Sequence, residues 1–181
     1  MWPRTPIKHC RDCGTAVDYR TPDDDNRPRA VCPACGRIHY ENPLNVVGTL
    51  PLWGDQVLLC RRNIEPRKGF WTLPAGFMEL EETAAEGAAR ETREEAGAVF
   101  ELEGLMAVLN VVKAGQLHLY YRARLLHTAF DPGPETQEAR LFTEAEVPWD
   151  RLAFRTVEST LRAYFADRHL GQALPHQADI L

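Results

Sequence analysis

The sequence predicts an α+β fold: a mixed sheet flanked by two helices, preceded by a small cysteine-rich module. Three observations carry this. Short apolar runs bounded by turn residues fill 46–73 and 99–142. Two segments, 83–96 and around 157–165, repeat small or apolar side chains at helical spacing. Two Cys-x-x-Cys pairs, Cys10/Cys13 and Cys32/Cys35, stand 18 residues apart near the start.

The first module spans 7–41. Four thiolates in two pairs form a metal-site pattern, and Gly14 and Gly36 permit the tight turns that bring backbone amides towards the sulfurs. So short a segment cannot build a sufficient core, so the metal supplies folding energy. The pattern resembles a zinc ribbon with structural Zn²⁺. A rubredoxin-like iron site is an alternative, since soft thiolates accept both metals. Disulfides are another. They are rare in reducing compartments, and Met1–Pro6 shows no apolar leader, so a cytoplasmic location is expected. His39 is read as structural, because four thiolates already fill a tetrahedral site. Asn42-Pro43 marks a boundary; 42–170 is the main domain and 171–181 a loose tail.

In the main domain, Val46–Leu50 and Val57–Cys60 are strands joined by a turn at Trp53-Gly54-Asp55. Cys60 reads as a small buried hydrophobe. Trp71-Thr72-Leu73 is a short strand ending at Pro74. Residues 99–112 read as strand, interrupted at Gly104. In 116–125, Leu117, Leu119, Tyr121, Ala123 and Leu125 alternate with polar positions and Tyr120, which predicts a half-buried strand. A short strand around Arg140-Leu141-Phe142 follows the loop Asp131-Pro132-Gly133-Pro134. Val157, Leu161, Tyr164 and Phe165 mark an amphipathic helix.

The helix over 83–96 is the best specified element. Thr83-Ala84-Ala85-Glu86 is a capping box, and Gly97 suits the left-handed C′ position. Ala85, Ala88, Ala89, Thr92 and Ala96 let it lie close to a sheet. Glu86 and Arg90 are spaced for an ion pair, and Arg90 also reaches Glu94. Glu91, Glu94 and Glu95 share a face, in a last turn where the helix dipole favours cations. A helix that breaks both rules implies a compensating ligand, and clustered carboxylates suit Mg²⁺ carrying substrate phosphates.

Gly76, five residues, Glu82, seven residues, Arg90-Glu91, then Glu94-Glu95 and Gly97 resembles the signature of the Nudix hydrolases. Every fixed letter matches; Thr92 and Ala98 stand at its two apolar positions. The resemblance implies an α/β/α sandwich that cleaves the pyrophosphate of nucleoside diphosphates linked to another moiety, using Mg²⁺ or Mn²⁺. It assigns Glu91, Glu94 and Glu95 as metal ligands, one of them also a base through bound water. Ala75 would offer its backbone carbonyl, Gly76 would keep that loop accessible, and Glu82 and Arg90 would position loop and helix. Glu135 and Glu138 are candidates for an extra ligand or general base. Trp71, Phe77, Tyr120 and Tyr121 are candidates for stacking on a base, or for the core.

The ribbon-plus-Nudix order resembles the NADH, FAD and ADP-ribose pyrophosphatases, with a homodimer implied. The NADH branch carries a Ser-Gln-Pro-Trp-Pro-Phe-Pro-x-Ser stretch after its box. Nothing like it follows Gly97, which favours FAD or ADP-ribose over NADH. Net charge is −5, and 79–95 alone carries seven Glu against two Arg. The balanced remainder offers no broad basic surface, so a nucleotide rather than nucleic acid is the expected partner. No apolar run is long enough for a membrane span. An RNA-decapping hydrolase and a catalytically silent nucleotide-binding module are the alternatives.

Overall fold

The computed structural model describes residues 5–171 and 175–181. Its contacts divide into two units, Met1–Pro43 and Leu44–Leu181.

The first unit is a three-stranded antiparallel sheet of β1 (Asp18–Arg20), β2 (Arg29–Val31) and β3 (Ile38–His39). Two like turns carry the cysteines. Gly14 donates its N–H to Cys10 O at 3.0 Å, and Gly36 to Cys32 O at 2.9 Å. Both glycines are left-handed, at φ 74° and 75°, which a Cβ would penalise.

The second unit is built on a mixed sheet ordered β10-β5-β4-β9-β8-β11. These strands are β4 (Leu44–Trp53), β5 (Gln56–Arg62), β8 (Phe100–Val111), β9 (Gln116–Leu125), β10 (Thr136–Phe142) and β11 (His176–Ile180). Two short strands, β6 (Trp71–Thr72) and β7 (Ala75–Phe77), pair with β5 and β4. β4 runs parallel to β9, from Leu44↔Gln116 to Leu52↔Arg124, and β8 parallel to β11; the other pairings are antiparallel. The register of β8 shifts on both sides of Leu105, so the interruption expected at Gly104 is a bulged stretch.

Helices α1 (Ala84–Ala96) and α2 (Arg155–Leu170) lie on different faces of this sheet. β5 shows why. Val57 and Leu59 join the cluster that contains Val157, Leu161, Tyr164 and Phe165 of α2, while Leu58 and Cys60 join the one that contains Ala96 of α1. Side chains two apart share a face, so one continuous apolar run serves both layers. Leu50, Leu58, Leu59 and Leu161 are fully buried, each worth about 1.5–3 kcal/mol. This is the α/β/α sandwich that the resemblance implied.

Two expectations need correction. β9 is largely half-buried as expected, but Tyr120, on the polar side of its alternation, is 2 % exposed and belongs to the α2-side cluster. The segment 171–181 is not a loose tail. Residues 172–174 lie outside the described ones, but His176–Ile180 form β11, with His176 Nε2 2.7 Å from the buried Asp167 of α2 and Asp179 accepting from Asn110 at 2.8 Å. No helix among the described residues is long and apolar enough to cross a membrane.

His118 of β9 lies in register between Val46 and Leu109, and its Nδ1 is buried without a hydrogen-bond partner. Burial holds its pKa down at about 4. The unfolded chain, titrating near 6.5, then binds a proton that the folded chain refuses. Folding stability should therefore fall as pH drops from about 6.5 to 4, by about 3 kcal/mol from this group. Urea midpoints across that window should fall less steeply in His118→Gln; parallel curves would refute the assignment.

Candidate active site

Both ends of α1 are fastened as its sequence requires. Thr83 Oγ1 accepts from the Glu86 amide at 3.2 Å, and Glu86 accepts from the Thr83 amide at 2.8 Å. Gly97 is left-handed and donates to Arg93 O at 2.8 Å. The closed box corrects one expectation. Glu86 does not pair with Arg90, because its carboxylate is occupied at the helix N-terminus.

Arg90 instead turns to the loop before the helix. Its Nε and Nη2 donate to the two oxygens of Glu82 at 3.0 and 2.8 Å. Nη1 donates to Glu91 at 2.7 Å and Glu94 at 3.2 Å, and Nη2 to Phe77 O at 3.2 Å. Glu82 also accepts from the Glu79 amide at 2.8 Å. Arg90 and that amide hold the Glu82 carboxyl down at about 2, so it stays ionised.

Glu95 is 7 % exposed, and its Oε2 accepts from the Ala75 amide at 3.0 Å. Burial pushes its pKa up to about 7; the Ala75 amide and Arg62 oppose this, while Glu91 and Glu135 add to it. Burial also raises Glu91, against the pull of Arg90 and with the push of Glu94 and Glu135. Glu94 stands at the exposed rim, its side chain 59 % accessible. A Cβ on Gly76 would run into the Glu91 carboxylate, so only glycine admits that side chain against β7. Thr49 donates to Pro74 O at 3.1 Å, which leaves the backbone groups of Ala75 turned away from β4. The Ala75 carbonyl therefore faces away from β4, on the same side as the amide that donates to Glu95.

Of the two loop glutamates, only Glu135 joins the group, through its charge on Glu91 and Glu95. Glu138 does not. The register shift between Thr136 and Glu138 leaves Glu138 exposed opposite Arg61, on the same side of β10 as Phe142 of the α2-side cluster. Trp71 and Tyr120 belong to the core, while Phe77 is exposed and Tyr121 half-buried. The sequence reading missed Arg62. It is 9 % exposed, donates to Pro66 O at 2.9 Å and is the cation that Glu95 feels. Its signal was an arginine in step with Leu58 and Cys60 on an apolar strand. It also missed the buried contact of Thr49 with Thr92 at 2.7 Å, which explains a hydroxyl at an apolar position of the signature.

The donors fit the cations implied. Carboxylate and carbonyl oxygens are hard donors of the kind such cations take, and burial with mutual repulsion leaves Glu91 and Glu95 in need of positive charge. In the ribbon, the four sulfurs lie within 4.8 Å of one another, with Cys13–Cys32 at 3.5 Å and Cys10–Cys35 at 3.7 Å. Metal–sulfur bonds of about 2.3 Å give a tetrahedral edge of about 3.8 Å, whereas a disulfide needs about 2.05 Å. All five cysteines are free.

Comparison with known proteins agrees with this geometry. Residues 8–41 match the zinc-ribbon family described as Nudix N-terminal, and residues 43–164 match the NUDIX domain. The chain is 29 % identical over 172 residues to an NAD-capped RNA hydrolase of Stutzerimonas stutzeri, covering 93 % of this chain and 59 % of that one. It is 27 % identical over 119 residues to an ADP-ribose pyrophosphatase of Methanocaldococcus jannaschii, covering 64 % of this chain and 69 % of the relative. The crystal structure of a NUDIX hydrolase from Nitrosomonas europaea is 48 % identical and superposes with a TM-score of 0.92, over 96 % of this chain and 99 % of that one.

Arg90→Ala would strip Glu82, Glu91 and Glu94 of their shared cation. The expected loss is about 2–3 kcal/mol, below a fully buried pair because Arg90 is partly exposed. Arg90→Lys should recover only part, lacking the planar fork. An unchanged urea midpoint in Arg90→Ala would show that the network holds nothing together.

Proposed function

The chain belongs to the Nudix family and is a Nudix hydrolase, and from that premise we propose that it splits the pyrophosphate of a nucleoside diphosphate linked to a second moiety, releasing a nucleoside monophosphate. ADP-ribose or FAD is the favoured substrate, with NADH possible. One observation carries the chemistry: a buried Glu95 and a half-buried Glu91 lie beside the β7 backbone, both feeling the charge of Glu135, with Arg90 bracing Glu91.

Glu91, Glu94, Glu95 and the Ala75 carbonyl would hold Mg²⁺ or Mn²⁺. Such an ion supplies charge neutralisation for the diphosphate and acidifies a bound water. The chain does the positioning. Arg90 fixes Glu91 to the loop, and the Ala75 amide fixes one oxygen of Glu95, leaving the other for a ligand. The pKa of about 7 belongs to Glu95 without a cation; a bound cation would draw it down and keep the carboxylate ionised as a ligand. Glu135, whose charge acts on Glu91 and Glu95, is the candidate general base or extra ligand. In the ribbon, Cys10, Cys13, Cys32 and Cys35 would hold one structural Zn²⁺. Five free thiols suit a cytoplasmic setting, and the homodimer that the resemblance implies completes the reading.

A second reading is hydrolysis of an NAD-capped RNA 5′ end, supported by the likeness to the Stutzerimonas hydrolase. The chain spans 59 % of that relative's length, and the branch-specific stretch after the box is missing, so the smaller dinucleotides are preferred.

Two measurements test this. Glu95→Gln should lower kcat more than ten-fold, over about 1.4 kcal/mol, with thermal stability kept or raised as a buried charge is removed; a variant retaining a tenth or more of the rate would refute the ligand role. In chelated buffer with metal removal verified, hydrolysis of ADP-ribose, FAD, NADH, NAD-capped RNA and nucleoside triphosphates should cease. With Mg²⁺ or Mn²⁺ restored, kcat/KM should favour ADP-ribose or FAD, and a preference for a triphosphate would sink the substrate assignment.

A further inference from the structure

The ribbon holds a feature that the catalytic reading does not use. An open cleft of about 420 Å³ lies within this unit, lined by Arg11, Asp12, Arg37, Ile38, His39 and Tyr40. That volume falls in the range of small-molecule sites. His39 is 8 % exposed, yet its Nε2 has no hydrogen-bond partner. That nitrogen is sealed from solvent, so His39 forms part of the cleft wall and not a donor or acceptor for its contents. The Arg11 side chain has no ion-pair partner among the described residues. Arg37 meets Asp12 only through Nε, at 3.4 Å, in a pair more than half exposed on both sides. Such a pair is weak and leaves the Nη donors of Arg37 available. Tyr40 offers an aromatic ring that is 59 % exposed at the edge of the cleft. Arg29, the other nearby cation, is neutralised by Asp25 at 2.8 Å and lies over the Tyr40 ring.

Two guanidiniums and an exposed phenol make a recognisable set. Guanidinium forks match phosphate oxygens. An exposed aromatic ring stacks on a base. We propose that the ribbon cleft is a second binding site that takes a 5′-phosphorylated nucleoside, with the phosphate on Arg11 and Arg37 and the base on Tyr40. The ligand is a free mononucleotide or the 5′-terminal nucleotide of an RNA strand, which share this chemistry. The proposal goes beyond the hydrolytic site and stands or falls without it.

The test is NMR of the full, metal-loaded chain in buffer without added Mg²⁺ or Mn²⁺, so that the hydrolytic site is not charged with its cation. The probes are AMP, adenosine, inorganic phosphate and a 5′-phosphorylated tetranucleotide RNA. AMP should saturably shift the His39 ring and the Ile38–Tyr40 amides, with adenosine and phosphate each bound at least about ten-fold more weakly. Arg11→Glu with Arg37→Glu should weaken AMP by ten-fold or more, about 1.4 kcal/mol, without changing the metal-to-protein ratio or turnover of the best substrate. Tyr40→Ala, which alters neither knuckle, should weaken it as well. RNA held about ten-fold more tightly than AMP would identify a nucleic-acid end as the ligand. Equal affinities would identify the free nucleotide. No saturable shift, undiminished AMP affinity in Tyr40→Ala, or undiminished affinity in the double variant with metal retained would overturn the proposal.

Discussion

The site depends on one guanidinium. Three glutamates on a single helix face repel one another, and two of them are pushed into surroundings that disfavour charge. Arg90 makes this tolerable. Its planar fork reaches back to Glu82 and the Phe77 carbonyl while touching Glu91 and Glu94 on its own helix. The loop before α1 and the helix therefore form one rigid piece. Without that piece, β7 would keep its pairing with β4, but Glu82 and Glu91 would lose the cation they share.

Much of this was legible because it is local. A capping box, a left-handed glycine and helical spacing act within a few residues, and each was found where the sequence put it. What failed was competition and register. Glu86 and Arg90 have the right spacing for an ion pair, but the capping box claimed Glu86 first. Glu138 lies close in sequence to Glu135, yet a single extra residue in β10 sends it to the other face. β11 was hidden for another reason. Its residues are too few and too polar to show a clear alternation, and its partner β8 lies more than 60 residues away in the chain. Tyr120 shares its side of β9 with Gln116, His118 and Arg122, so the alternation alone did not mark it as part of the α2-side cluster.

The ribbon shows the same division. The cysteine spacing names the ligands, and the structure brings the sulfurs to distances that a tetrahedral metal would require. What the spacing does not reveal is the surface that the knuckles create beside them. Arg11 and Arg37 follow cysteines of the two knuckles, so bringing the sulfurs together also brings the arginines to one cleft.

The parallel ladder between β4 and β9 has a kinetic meaning. Leu44 pairs with Gln116, so the pairing must close a loop of about 70 residues that contains β5, β6, β7, α1 and β8. Loop closure of this kind delays folding, because its entropy cost comes before any contact compensates it. α1, by contrast, carries its own caps and can form early. The carboxylates are thus displayed on a ready helix before the sheet that buries them is complete. During that interval they remain hydrated, and their repulsion is screened by water. Helix formation already brings them together, so what the late-closing sheet adds is the cost of taking Glu95 and part of Glu91 out of water.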